Sequence, residues 1–166
     1  MSRESFGVRR ATDADVKTVA QHRVLMFRDM GLVDPSLEEE LLTVAVAHIR
    51  AAMKSGEFVG WVAHPHGRAE EIVAGGGVQL RRLLPRPQEG GKRVLIGREA
   101  VILNVYVERE FRRRGLARRI MDEIIAWIAE TDVVRLVLHA SDEGRPLYED
   151  MGFVPTTEMR YSKALR

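Results

Sequence analysis

Val16, Val19, Ala20, Val24 and Phe27 recur at the three- and four-residue intervals of one helix face, and the spacing predicts a helix capped by Thr12 or Asp13 and ended near Gly31. Ahead of it, Phe6 to Arg10 reads as a short strand. A turn at Asp34-Pro35 leads into Ser36-Leu37-Glu38-Glu39, which has the form of a capping box. Leu37, Leu41, Val44, Ala45, His48, Ile49 and Ala52 then fall on one face of a second helix. After Ser55-Gly56 the pattern becomes that of strands: Phe58 to Ala63, a polar turn at His64 to Arg68, and Ile72 to Leu83, together an antiparallel hairpin.

Pro85 to Lys92 is rich in proline, glycine and charge and reads as an exposed loop. Glu99 to Val107 is a near-continuous apolar run interrupted by Asn104, as expected of a central strand covered on both faces. Leu116, Ile120, Ile124 and Trp127, widened by Met121, Ile125 and Ile128, predict an amphipathic helix. A buried strand at Val133 to Ala140, a short helical segment at Ser141 to Met151 ended by Gly152, and a last strand from Phe153 to Ser162 complete the order. Mixed strands and helices in this order predict an α/β fold, a central mixed β-sheet flanked by helices, in a single domain spanning residues 1–166.

Composition removes whole classes of chemistry. The 45% hydrophobic and 30% charged residues exclude a disordered or fibrous chain, and a net charge of +2 gives too weak a field to argue for nucleic acid. The absence of cysteine excludes disulfides, thiolate metal sites and a cysteine nucleophile. His64 and His66 flank a turn proline without further ligands, so no metal is expected. Met1 to Ser5 lacks the apolar core of a signal peptide, and the run from Leu41 to Ile49 is too short to span a membrane. The expected compartment is the cytoplasm.

Against this nearly neutral background, Arg112 to Arg119 places five arginines within eight residues, where a buried strand hands over to a helix. The first turn of a helix has unpaired amides and the positive end of the macrodipole, and Gly115 admits a ligand where a Cβ would intrude. Neither Gly75-Gly76-Gly77 nor Gly90-Gly91-Lys92 completes a Walker loop, and the three spaced glycines of a dinucleotide fingerprint are missing. The three consecutive glycines instead mark a bulge or close approach within a strand. Arg112-Arg113-Arg114-Gly115-Leu116-Ala117 does fit Arg/Gln-x-x-Gly-x-Gly/Ala. With Leu147-Tyr148-Glu149-Asp150-Met151-Gly152-Phe153 downstream and the same order of elements, the chain resembles the GCN5-related N-acetyltransferases, the GNAT superfamily.

The resemblance implies a cleft between the central strand and its neighbour that takes acetyl-CoA as cosubstrate. It implies pantetheine contacts at Val105, Tyr106 and Val107 and pyrophosphate contacts along Arg112, Arg113, Arg114, Gly115, Leu116, Ala117 and Arg118. The Val105 N–H corresponds to the oxyanion donor and Tyr148 to the general acid. Ser141 stands where many members have Asn, so its coenzyme contact is the weaker inference. The strand that carries a base glutamate in some members has none here, which leaves His139 or Glu99 as the base. Asn104 either lines the acceptor pocket or is satisfied by backbone at a bulge.

The leading expectation is an acetyl-CoA-dependent N-acetyltransferase acting on a small-molecule primary amine by direct attack in a ternary complex, as a monomer or homodimer. A protein N-terminal or lysine acetyltransferase is the alternative. A basic nucleic-acid-binding or regulatory module ranks below both, because no aromatic interleaving accompanies the arginines.

Overall fold

The computed structural model describes residues 5–162. Met1 to Glu4, on which the absence of a signal peptide was argued, lie outside them. Strands Phe6–Arg10 (β1), Phe58–Pro65 (β2) and Ala74–Arg82 (β3) run antiparallel, with Phe6 opposite Pro65 and Phe58 opposite Gln79. The segment read as an exposed loop folds back on itself, because Arg86–Pro87 (β4) pairs with Val94–Leu95 (β5) in a ribbon apart from the main sheet. Arg98–Val107 (β6) is antiparallel to β3 and parallel to Val133–Leu138 (β7), which gives the order β1-β2-β3-β6-β7. The mixed sheet expected from the sequence is present.

Helices Val16–Asp29 (α1) and Glu38–Ser55 (α2) pack on one face of the sheet, and Leu116–Ile128 (α3) packs on the other. Arg145–Asp150 (α4) is a short helix after β7. Alternation along β2 serves both faces. Trp61 and Ala63 join Leu116, Ile120, Met121 and Ile124 of α3, while Phe58 and Val62 join Val19 of α1 and Ile49 of α2. Trp61 and Trp127 meet edge to face at 5.4 Å, with the Arg10 guanidinium over both rings.

Gly75-Gly76-Gly77 does mark a close approach. A Cβ at Gly77 would stand 2.4 Å from Phe58 Cζ and 2.7 Å from the Val59 carbonyl, and one at Gly76 would stand 3.0 Å from Ile120 on the opposite face. Helices can therefore seat tightly on both sides of β3.

Three local expectations change. The helix start at Ser36 is not capped by a box: the Asp34 carboxylate accepts from the Ser36 amide (2.9 Å) and hydroxyl (2.6 Å), opening a 3-10 turn at Pro35–Leu37 before α2. A short carboxylate reaches the amide two residues on, and proline then fits the first position of the turn. Leu37 and Val44, expected on the buried face of α2, are 50% and 46% exposed, because only part of that face meets the sheet. The strand expected over Phe153 to Ser162 is not formed, and β7 ends the sheet.

At the start of α1 the Asp15 carboxylate accepts from the Thr12 amide (2.7 Å) and from both Arg9 guanidinium nitrogens (2.7 and 2.9 Å). The Arg9 contact, aided by Thr12 and opposed by burial, lowers its pKa to about 2. A depressed carboxyl stabilises fully above its unfolded pKa near ~3.9, and that contribution is lost as pH falls through about 2. Asp15→Asn should therefore lose about 1–2 kcal/mol near neutrality and show a flatter stability profile between pH ~4 and ~2, measured by chemical denaturation. Gly77→Ala should lose roughly 1–3 kcal/mol through overpacking against Phe58 and the β2 backbone, read as a lower Tm.

Candidate active site

The site begins at an irregularity in β6. On the β3 side Gly75 pairs with Tyr106 and Gly77 with Leu103, so Gly76 faces two residues, Asn104 and Val105. This is a bulge. Asn104 takes φ 61°, in the left-handed region that asparagine tolerates better than most side chains. Its Nδ2 donates to the Val19 carbonyl of α1 at 3.1 Å, and its buried Oδ1 has no partner among the described residues. On the other side, pairing with β7 stops at Ile102 opposite Leu138. Beyond that point the two parallel strands separate.

The separation opens a cleft of about 640 Å³. Leu103 to Val107 of β6 line it, with Leu138 and His139 at the end of β7, the first turn of α3, and Ser141, Glu143, Gly144, Leu147 and Tyr148. The remaining wall is α1, through Arg23, Met26, Phe27, Asp29 and Met30. The chain thus brings Asn104, Val105, Tyr106, Val107, Arg112, Arg113, Gly115, Leu116, Ala117, Arg118, His139, Ser141 and Tyr148 to one cleft.

Gly115 begins α3 with φ 79°, and a Cβ there would meet nothing within 4 Å. The helical ladder starts with the Arg119 N–H donating to the Gly115 carbonyl at 3.1 Å. The amides of Arg113, Gly115, Leu116, Ala117 and Arg118 have no backbone acceptor among the described residues. Open space above a glycine, free amides and the positive helix end fit a pyrophosphate group.

The arginine side chains are less available than their number suggests. Arg112 donates through Nε to the Val107 carbonyl at 3.0 Å and pairs with Asp29, which also holds Arg109. Arg109 first, and then Arg112, keep the Asp29 carboxyl below the usual carboxylate range against the effect of burial. Arg118 pairs with Asp150 of α4. Arg114 does not line the cleft; it donates to the Glu110 carbonyl at 3.1 Å and lies over the Phe111 ring. Arg113, at φ 63°, lines the cleft and makes no ion pair among the described residues.

On the facing wall, Tyr148 packs edge to face with Phe153 at 6.1 Å, and burial pushes its phenol above the ordinary value. Gly144 makes room for it: a Cβ there would stand 2.9 Å from Tyr148 Cε2. The Ser141 hydroxyl accepts from the Gly144 amide at 3.2 Å and its carbonyl from the Arg145 amide at 2.9 Å, so Ser141 shapes this turn as well as lining the cleft. His139 is exposed, with Nε2 2.7 Å from the Glu158 carboxylate.

Glu99 is elsewhere. It is fully buried before the strands part, gripped between Arg81 of β3 and Arg135 of β7, and does not line the cleft. Its expected role as base is therefore corrected. Its partners lie on two other strands, out of reach of any local pattern.

The α1 wall was missed by sequence reasoning, since Arg23 and Asp29 flank an ordinary amphipathic stripe. His22 was missed too. It is buried against the Tyr106 ring at 5.2 Å with Nε2 3.3 Å from Glu108, and burial pushes its imidazole down. Arg23 and Asp29 stand near the stripe residues Val19, Val24 and Phe27, which was the one available signal.

Residues 93–166 match the acetyltransferase (GNAT) domain family. The GCN5-related N-acetyltransferase from Ralstonia eutropha JMP134 is similar over 96% of this chain and 99% of its own, at 29% identity and a TM-score of 0.80. A predicted acetyltransferase from Clostridium acetobutylicum, crystallised with acetyl-CoA, shares the fold over 96% of both chains at 23% identity and a TM-score of 0.77. Glucosamine-6-phosphate N-acetyltransferase from Arabidopsis thaliana shares it over 98% of this chain and 100% of its own, at 19% identity and a TM-score of 0.64. No curated protein matches the sequence significantly. With the parted strands and the glycine turn of α3 in place, the chain shares the fold of the GCN5-related N-acetyltransferases, and its C-terminal part, residues 93–166, matches their domain family.

Proposed function

We propose that the protein transfers the acetyl group of acetyl-CoA to a primary amine of a small molecule, by direct attack in a ternary complex, as a single-domain cytoplasmic enzyme. The observation that carries this reading is the placement of α3's free amides and the Tyr148 phenol around the gap where β6 leaves β7. The amides of Arg113 and of Gly115 to Arg118 would hold the pyrophosphate, with the Arg113 side chain beside them. The uncovered edge of β6 from Val105 to Val107 would pair with the amide-bearing arm of the coenzyme. Acetyl-CoA supplies a thioester whose carbonyl must be polarised and whose thiolate must be protonated.

The Val105 N–H, beside the bulge in the cleft wall, would donate to that carbonyl oxygen. Tyr148 keeps its proton at neutral pH, and more firmly than an exposed phenol, so it can give it to the leaving thiolate. His139, held by Glu158 at the cleft mouth, is the acceptor of the amine's proton. Without cysteine, no acetyl-thiol enzyme forms.

Support for a small acceptor comes from a second cavity of about 200 Å³ that adjoins the cleft and has room for a compact molecule. A related fold named for glucosamine 6-phosphate points the same way. A protein N-terminus or lysine is the alternative acceptor.

Tyr148→Phe should lower kcat about 10- to 100-fold with acetyl-CoA affinity unchanged, followed by thiol release and calorimetry. Retention of full turnover would remove the acid role. Gly115→Glu should weaken acetyl-CoA binding by at least about tenfold, since its side chain enters open space and sets a carboxylate against the phosphates. Thermal unfolding of the same variant separates this from strain at the positive φ.

A further inference from the structure

Arg23 joins two cavities and has no counter-charge among the described residues. It lines the main cleft and also the second cavity, whose walls are Ala45, His48, Ile49 and Ala52 of α2, Phe58 and Gln79. Only Arg23, Leu103 and Asn104 belong to both. The second cavity includes none of the α3 turn and none of the Ser141 to Tyr148 segment, so it lies on the side of β6 away from the phosphate-binding features.

The Arg23 guanidinium is half-buried and lies 4.9 Å from the centre of the Phe27 ring, with no hydrogen bond or ion pair among the described residues. The acid that lines the cleft from the same helix, and the one that opens α2, are already engaged. Asp29 holds Arg109 and Arg112, and Glu38 holds Arg28. A guanidinium cannot shed its proton in this pH range, and the contact with the Phe27 ring engages its face while leaving the in-plane fork of N–H donors open to an anion. Beside it, the Asn104 Oδ1 is buried and unpartnered, an acceptor awaiting an N–H. A cation seeking an oxyanion and an acceptor seeking a donor thus share the threshold between the cavities.

We infer that Arg23 binds an oxyanion of the acceptor, so that the amine substrate carries a carboxylate or phosphate group, while Asn104 Oδ1 accepts from its amine. This rests on the acetyltransferase reading above. Arg23 sets which amines bind, and Phe27 fixes the guanidinium's plane for a two-pronged contact.

The test uses the full chain with acetyl-CoA, follows thiol release, and compares matched amines: an α-amino acid with its decarboxylated amine, and an amino-sugar phosphate with the free amino sugar. The expected result is a preference of at least about tenfold in kcat/KM for the oxyanion-bearing member of one pair. Which pair shows it distinguishes carboxylate from phosphate. Arg23→Gln should erase that preference by raising the KM of the oxyanion-bearing amine roughly 10- to 100-fold, with the KM for acetyl-CoA and for the neutral amine unchanged. Arg23→Lys should recover part of it. Equal or better use of the neutral amines by the wild-type protein overturns this inference alone, and so does a uniform loss across all amines in Arg23→Gln. If no amine raises thiol release above that with water alone, the acetyltransferase reading and this inference fall together.

Discussion

The left-handed turn of Asn104 inside β6 is the constraint on which the site rests. A regular strand would keep one face toward α1 and continue its ladder with β7, leaving no gap. The extra residue opposite Gly76 breaks that register, and its side chain is held by the Val19 carbonyl of α1. A conformation that costs roughly 1–3 kcal/mol in isolation persists because the surrounding packing over-determines it. The absence of a side chain at Gly76 belongs to the same arrangement, since a Cβ there would stand 3.2 Å from Val105 Cγ2 and crowd Ile120. Strand, bulge and both helical layers therefore specify the cleft together.

Charge in the arginine run is used mainly to fasten the walls of that cleft. Arg112 ties the turn before α3 to the end of α1 through Asp29, and Arg118 ties α3 to α4 through Asp150. These contacts fix the distance between walls that share no backbone pairing. What faces the opening is then largely main chain, the amides at the start of α3. Backbone donors are held by the helix and lose little entropy on meeting an anion, unlike flexible side chains. Glu99 illustrates the opposite use of charge: a buried carboxylate between two arginines binds β3, β6 and β7 before β6 and β7 part.

Tyr148 depends on small neighbours in a comparable way. Gly144 leaves room for its ring, Ser141 holds the preceding turn, and Phe153 backs it, so the phenol is set in the wall by the segment that connects β7 to α4. Burial there favours the protonated form a leaving thiolate needs. The same low-polarity surroundings make an uncompensated Arg23 and the open Oδ1 of Asn104 conspicuous on the acceptor side.

The sequence by itself determined the mixed sheet, the order of its elements, the glycine turn of α3 and the tyrosine of α4, because each is written in a local period or a short motif. The near-continuous apolar run of Glu99 to Val107 marked a central strand, and Asn104 stood out as its polar interruption. Tertiary structure alone decided that Asn104 is a bulge tethered to α1, that Glu99 is locked between Arg81 and Arg135, and that Arg23 stands between two cavities with no ion pair among the described residues. It also left Phe153 to Ser162 without the strand its pattern allowed. These outcomes turn on which side chains from distant strands and helices meet. Periodicity fixes the face a residue occupies, whereas its partner and the fate of its charge depend on contacts between segments far apart in the chain.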